Sequence, residues 1–302
     1  MRLFALLTLG LCLAFAPSAQ ATATFGISDD DANMFSSPHF RALGIKQARL
    51  TVPWNVALST KGQPAWGTNL REARHWLNTA RASGVQPLVS FNVAIGGRYN
   101  RRAPSLATYR RAFRTFRKRF PWVRQYIPWN EVNHGTQPTA KKPKLAAQYY
   151  NIARDNCRRC TVVAAALLDE QSAVPFIKKF KRYAKRPRLW ALHNYLAVNR
   201  NTTDTMRRIL QTARGRFWIT ESGGIVMRKS PFVKSNFSFS PARAARAEKN
   251  YFRLVARYRR QVKRFYHYQW QNTGNPVWDS ALIGANGKPR PAYWIVRHRV
   301  HR

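Results

Sequence analysis

Apolar residues recur along this chain in two alternating rhythms. Eight short runs are apolar almost throughout and rich in Val, Ile, Phe, Tyr and Trp: 24–28, 47–52, 86–91, 125–130, 161–168, 189–194, 216–220 and 264–270. Runs of that length without polar alternation read as parallel strands covered on both faces. Between them the period becomes helical. Tyr109, Phe113, Phe116 and Phe120 fall on one stripe, with Arg110, Arg111, Arg114 and Arg117 opposite. Tyr251, Leu254, Val255, Tyr258 and Val262 repeat the arrangement. Eight β-then-α units predict a (β/α)₈ barrel, for which about 250 residues is typical. The alternative is a doubly wound open sheet, but the first βα turn, Ser28-Asp29-Asp30-Asp31, has no glycine-rich phosphate loop. No linker, repeat or appended module is visible, so 22–302 reads as one catalytic-size domain.

The N-terminus follows a different pattern. Arg2 precedes an apolar stretch over 3–15, then come Pro17 and small residues with Ala19-Gln20-Ala21 and Ala21-Thr22-Ala23 as exits. This is the layout of a secretory signal peptide, and the stretch is too short to span a bilayer. Leu11 before Cys12 is too bulky for lipoprotein processing. Residues 1–21 are therefore expected to be removed, with cleavage as late as residue 23, and the product to be secreted or cell-wall associated, with no membrane span.

Composition narrows the class. The 302 residues hold 53 Lys+Arg against 12 Asp+Glu, a formal charge of +41. At 45% hydrophobic and 13% aromatic, the chain is too rich in core formers to be a disordered basic tail. Three cysteines exclude a disulfide-dense miniature scaffold. The charge predicts affinity for polyanions such as acidic polysaccharide or an anionic cell wall. Equally, an excess of arginine can be compositional alone. The basic runs, including Lys141-Lys142-Pro143-Lys144 and Lys178-Lys179-Phe180-Lys181-Arg182, fall mainly on outer helical faces. No helix-turn-helix, zinc-finger or RNP pattern appears, so specific nucleic-acid binding is not expected. Cys157 and Cys160 are expected to form a short-loop disulfide after export. A thioredoxin-like centre would instead start a helix, and a zinc site would need two further ligands.

With so few acids, a carboxylate at the C-terminal end of a barrel strand is informative, because barrel active sites gather there. Glu131 closes the fourth run and Glu221 the seventh. A barrel brings both to one mouth, where paired carboxylates suit glycoside hydrolysis: a proton donor and a nucleophile about 5–5.5 Å apart in a retaining enzyme.

Trp129-Asn130-Glu131 and Trp218-Ile219-Thr220-Glu221-Ser222-Gly223 resemble clan A of the glycoside hydrolases. Arg49 in Ala48-Arg49-Leu50, His193-Asn194-Tyr195, and Trp270 in Tyr268-Gln269-Trp270 match the clan's second-, sixth- and eighth-strand residues. The resemblance implies a retaining barrel enzyme with Glu131 as acid/base and Glu221 as nucleophile. Within the clan the pattern is loosely similar to family 5 cellulase-like and family 39 enzymes. Val132, where the commonest family 5 form has Pro, departs from it.

Each expected role has a physical reason. Glu131 needs a carboxyl raised by apolar surroundings, with Trp129 as the wall, or by the charge of Glu221. Arg49 and Tyr195 would keep Glu221 ionised. Asn130 would donate to a sugar 2-hydroxyl, and Trp270 would offer a flat face to the ring. Trp54, Asn55 and Asn92 would serve neighbouring subsites. His193 suits either the site or the core, and Asp29, Asp30 and Asp31 suit capping of the next helix, with contact to substrate or calcium as the alternative. The seven histidines show no metal-binding spacing, so neither metal nor cofactor is expected. The expected activity is hydrolysis of a polysaccharide or oligosaccharide. The alternative is a secreted polyanion- or cell-wall-binding barrel with vestigial catalysis.

Overall fold

The computed structural model describes residues 23–58, 68–94, 102–229, 236–272 and 274–301; the expected export segment 1–21 lies outside the described residues. Its strands are β1 (Thr24–Ser28), β2 (Gln47–Pro53), β3 (Gln86–Asn92), β4 (Gln125–Ile127), β5 (Thr161–Val162), β6 (Ala166–Leu168), β7 (Leu189–His193), β8 (Arg216–Ser222), β9 (Met227–Arg228), β10 (Val262–Tyr268) and β11 (Trp278–Asp279). Nine form a parallel sheet in the order β5-β4-β3-β2-β1-β10-β8-β7-β6. The two ends of that order, β5 and β6, are halves of the single run 161–168. Between them the Val163 amide donates to Tyr126 O at 2.9 Å, and the Ala164 amide to Leu189 O at 2.8 Å. The run thus pairs with β4 on one side and β7 on the other, and the sheet closes into a (β/α)₈ barrel.

Leu88, Ile127, Val163, Ala166, Ala191, Trp218 and Tyr266 form a cluster contributed by six of these strands and the Val163 link, which fills the barrel interior. Gly26 makes room for it, since a Cβ there would meet the Tyr266 ring and Gln47 O at 2.7 Å. Side chains of a strand return to the same face every second residue. Ser90, His193, Thr220 and Tyr268 therefore point inward one layer nearer the mouth than Leu88, Ala191, Trp218 and Tyr266. The apolar plug is the floor of the site.

Helices enclose the barrel as the sequence periodicity predicts. In Leu106–Arg119, Tyr109, Phe113 and Phe116 are buried, and the Ser105 side chain caps the Thr108 amide. Asn69 and Glu72 make a reciprocal capping box at the start of Leu70–Ala82. Among the described residues no helix is long and apolar enough to cross a membrane.

Several strand ends differ from expectation, and the eighth run is observed as Val262–Tyr268 where 264–270 was expected. The fourth strand stops at Ile127, where Pro128 supplies no amide for the ladder. The fifth splits because its middle residues bond alternately to either neighbour. The antiparallel pair β9–β11, with Trp278 opposite Arg228, was not foreseen, since two-residue strands carry no periodic signal.

Candidate active site

The polar layer above the plug is organised by a buried arginine. Arg49, in β2, is fully buried and reaches three partners: Ser28 Oγ at 2.7 Å and Glu221 Oε2 at 2.8 Å through Nη1, and Asn130 Oδ1 at 2.7 Å through Nη2. Glu221 lies in the last turn of β8, and its Oε1 accepts a hydrogen bond from the Tyr195 hydroxyl at 3.2 Å. Both oxygens of Glu221 therefore carry a donor, which fixes the rotamer. Because Arg49 occupies Asn130 Oδ1, the amide nitrogen of Asn130 is the group left for a ligand.

Glu131 follows β4 with a left-handed backbone, φ 45°. The residues beside it are pinned to the flanking strands: the Asn130 amide donates to Phe91 O at 2.7 Å and the Val132 amide to Ala166 O at 2.9 Å. The chain turns at Glu131 between these anchors and holds a non-glycine residue in a sparsely populated conformation, a cost that concentrates at functional sites. His193, buried at the end of β7, joins the two acids. Its Nδ1 lies 3.0 Å from Glu131 Oε1 and 3.8 Å from Glu221 Oε2, while Nε2 faces Thr220 Oγ1 at 3.1 Å. One carboxylate oxygen of each glutamate and a His193 nitrogen all lie within 4.8 Å of one another. These three side chains also have the donor set of a metal site, but the Arg49 guanidinium on Glu221 places a positive charge where a cation would sit.

The surroundings of Glu131 correct one expectation. Burial raises its carboxyl, but the His193 hydrogen bond and the charges of His193, His134 and Arg49 outweigh it, and the net direction is down. Trp129 is not its apolar wall. That indole is buried among the helices, stacked on Tyr149 at 5.3 Å, with Nε1 donating to Gln137 Oε1. Trp270 is corrected likewise: it is 2% exposed and packs edge-on against Phe40 and Tyr293, so its ring offers no face to a ligand. Its backbone amide instead donates to Asp29 Oδ2 at 2.7 Å, which ties the end of the eighth barrel strand to the first. Of the three consecutive aspartates only Asp31 caps, at the short 3₁₀ helix Ala32–Ser36. Asp30 accepts the Thr51 amide at 2.8 Å. Trp54 and Asn92 sit where β2 and β3 reach the mouth, joined by a Trp54 N–H to Asn92 O bond of 2.9 Å. The Asn92 side chain folds back onto the Val93 amide. The sulfurs of Cys157 and Cys160 are joined, with Cα atoms 5.3 Å apart, before β5.

Three residues near the carboxylates were missed. Trp278 places its ring edge-to-face on Tyr195, centroids 5.0 Å apart. Tyr268 lies within electrostatic reach of Glu221 and Asp30. Glu170, whose carboxyl burial pushes up, lies within reach of Glu131 and His134. Asking which acids end each strand would have found Glu170. Trp278 lies in a connection with no periodic signal.

Behind the site, the turn after Glu221 is locked from the helix Pro241–Arg257. Glu248 Oε2 accepts the Gly224 amide at 3.1 Å and faces His267 Nδ1 at 3.0 Å, both side chains fully buried. His267 Nε2 faces Ser280 O at 2.8 Å, so the ring is held between that carbonyl and Glu248. Gly223, at φ 145°, has no space for a Cβ beside the His267 ring.

No protein-family model and no curated protein matches the chain in sequence. Solved structures do match in fold. A GH10 endoxylanase retrieved from a sugarcane soil metagenome aligns over 92% of this chain and 97% of its own, at 12% identity and TM-score 0.65. A family 39 glycoside hydrolase from the gut symbiont Bacteroides cellulosilyticus WH2 aligns over 92% of this chain at 13% identity and TM-score 0.59; the match spans 63% of that longer chain. A monomeric β-xylosidase from Caulobacter crescentus CB15 covers 93% of this chain and 69% of its own, at 13% identity and TM-score 0.61. The shared feature is the (β/α)₈ barrel.

Proposed function

We propose that the chain is a retaining glycoside hydrolase, exported from the cell, that cleaves O-glycosidic bonds through Glu221 as nucleophile and Glu131 as acid/base. One observation carries the reading: two carboxylates at the mouth of a (β/α)₈ barrel have oxygens within 4.8 Å, nearer the spacing of retaining enzymes (about 5–5.5 Å) than of inverting ones (about 6.5–9.5 Å). In the first step a Glu221 oxygen attacks the anomeric carbon while the glycosidic oxygen leaves with a proton from Glu131. The result is a glycosyl ester on Glu221. In the second step Glu131 takes a proton from water as that water attacks the same carbon and releases Glu221. Arg49 and Tyr195 stabilise the carboxylate before attack and after release. Glu131 must hold a proton for the first step, and the group within hydrogen-bond reach of its Oε1 is His193 Nδ1, at 3.0 Å.

Export is supported by the 1–21 pattern and by the Cys157–Cys160 pairing, which suits an oxidising compartment. The xylosidase and endoxylanase among the structural neighbours make xylosides the first substrates to try. The test is a panel of aryl glycosides of both anomeric configurations, assayed with wild type, Glu221→Gln and Glu131→Gln. Wild type should cleave at least one. Glu221→Gln should abolish that turnover, and Glu131→Gln should lower it by about 10² to 10⁴ for a poor leaving group. Wild-type rates in both variants would remove the two-carboxylate assignment.

A further inference from the structure

Two basic runs that are separate in sequence meet on the outer wall of the barrel. Lys141, Lys142 and Lys144 at the start of the helix Pro143–Asp155 face Lys179 and Arg182 at the end of the helix Ala173–Lys181. With Leu145, Gln148 and Tyr183 they line a groove of about 620 Å³. That volume lies within the range of sites for small or oligomeric ligands, about 300–1,000 Å³. No acid lines it, and all five cations are exposed. None of the five is paired with a carboxylate among the described residues; Asp155, at the far end of the helix Pro143–Asp155, pairs with Lys185 at 2.6 Å. Five like charges in one groove repel each other, and a bound anion is what relieves that repulsion.

The groove is also braced. Tyr150 and Phe180 pack between the two helices with ring centroids 6.0 Å apart. Asn151 donates to Tyr183 O and accepts from the Lys185 amide, both at 2.8 Å, which fixes the turn that carries Tyr183. Tyr183 is 46% exposed, with Lys144 Nζ 5.4 Å from its ring centroid. An exposed ring flanked by ammonium groups matches a chain that presents flat apolar faces and single negative charges in turn.

We infer that this groove binds an anionic polysaccharide carrying carboxylates on its sugars, at a site distinct from the barrel mouth. Four of the five cations are lysines, compact point charges that suit single carboxylates. Beside them the exposed Tyr183 ring offers a flat face to a sugar, with Lys144 Nζ 5.4 Å from its centroid to meet the charge. In a barrel the helix Pro143–Asp155 starts on the mouth side, and Lys142 ends the connection that begins at Glu131. The groove therefore runs from the mouth side, at Lys142, toward the opposite end of the barrel, at Arg182. The inference stands apart from the hydrolase reading, because binding is measured without turnover.

The experiment measures polygalacturonate binding to the full chain bearing Glu221→Gln, at about 50 and 200 mM salt, the range over which polyanion contacts weaken strongly. A groove triple, Lys142→Glu, Lys144→Glu and Lys179→Glu, should lower affinity by about tenfold or more at low salt. A control triple of equal charge, Arg110→Glu, Arg111→Glu and Arg114→Glu on the exposed face of Leu106–Arg119, should change it far less. Tyr183→Ala should weaken binding while leaving the salt dependence as it was, an effect that net charge alone does not give. Equal losses in the two triples, or no loss with Tyr183→Ala, would overturn the site. Tighter groove-dependent binding of DNA than of polygalacturonate would overturn the ligand class.

Discussion

Arg49 divides its two terminal nitrogens between Glu221 and Asn130, so a single side chain orients one carboxylate and the amide beside the other. Lysine has the charge but not the fork. His193 has the complementary role on Glu131, and its effect is measurable. Burial alone raises a carboxyl; here the imidazole pulls it down. His193→Ala leaves the burial and removes the pull, so Glu131 should titrate at a higher pH than in wild type, read by carbon NMR of labelled glutamate. An unchanged midpoint would mean that His193 is packing, not electrostatics. At this scale the sequence was legible where chemistry follows strand position. Glu131, Glu221, Arg49, Asn130, His193 and Tyr195 do converge: Arg49, His193 and Glu221 lie within barrel strands, and Asn130, Glu131 and Tyr195 in the segments that follow β4 and β7 at the mouth. It was illegible for Trp129 and Trp270. Both lie past the last ladder residue, where the inward–outward alternation no longer applies, and both turn outward into the helical layer.

Between elements, the connection after β10 determines how the mouth is finished. Asp279 and Arg290 form a two-pronged pair, 2.6 and 2.7 Å, with side chains 2% and 12% exposed. Burial pushes the Asp279 carboxyl up, but hydrogen bonds from Arg290 and Asn272 and the guanidinium charge more than offset it, leaving it below the ordinary range. The stabilisation from this pair is therefore complete above about pH 4 and is lost as pH falls through the depressed native value. Arg290→Ala strands the carboxylate, and should destabilise by about 3–5 kcal/mol at neutral pH. The deficit should shrink in acid. Urea unfolding at pH 7 and pH 3 reads both, and an equal deficit at the two pH values would contradict the account. The eight strand runs and their helices were legible because each carries several periods of pattern. The β9–β11 pair, which brings Trp278 onto Tyr195, was not, since long-range pairing of two-residue strands leaves no local trace.

Of the 53 Lys and Arg in the chain, the candidate site uses one, the buried Arg49, beside two glutamates. The surface charge and the mouth should respond differently to salt. Between about 50 and 200 mM, polyanion binding should fall steeply as counterions are released. Turnover of a neutral oligosaccharide depends on short-range contacts and should change little. Parallel loss of both would mean that the mouth reads charge, and would make an acidic sugar the substrate. The charge was countable from sequence, but its division into a groove and a diffuse surface was not. Lys142 and Lys179 become neighbours only when adjacent barrel units pack side by side.

The central claim is that Glu221 and Glu131 act in two displacements at one anomeric carbon. The most direct measurement is proton NMR of the first-formed sugar from any glycoside that the wild type cleaves, taken before mutarotation. Two displacements invert twice, so the product should keep the anomeric configuration of the substrate. A first product of opposite configuration would mean a single displacement by water, and would contradict both the role of Glu221 as nucleophile and the close pairing of the two carboxylates.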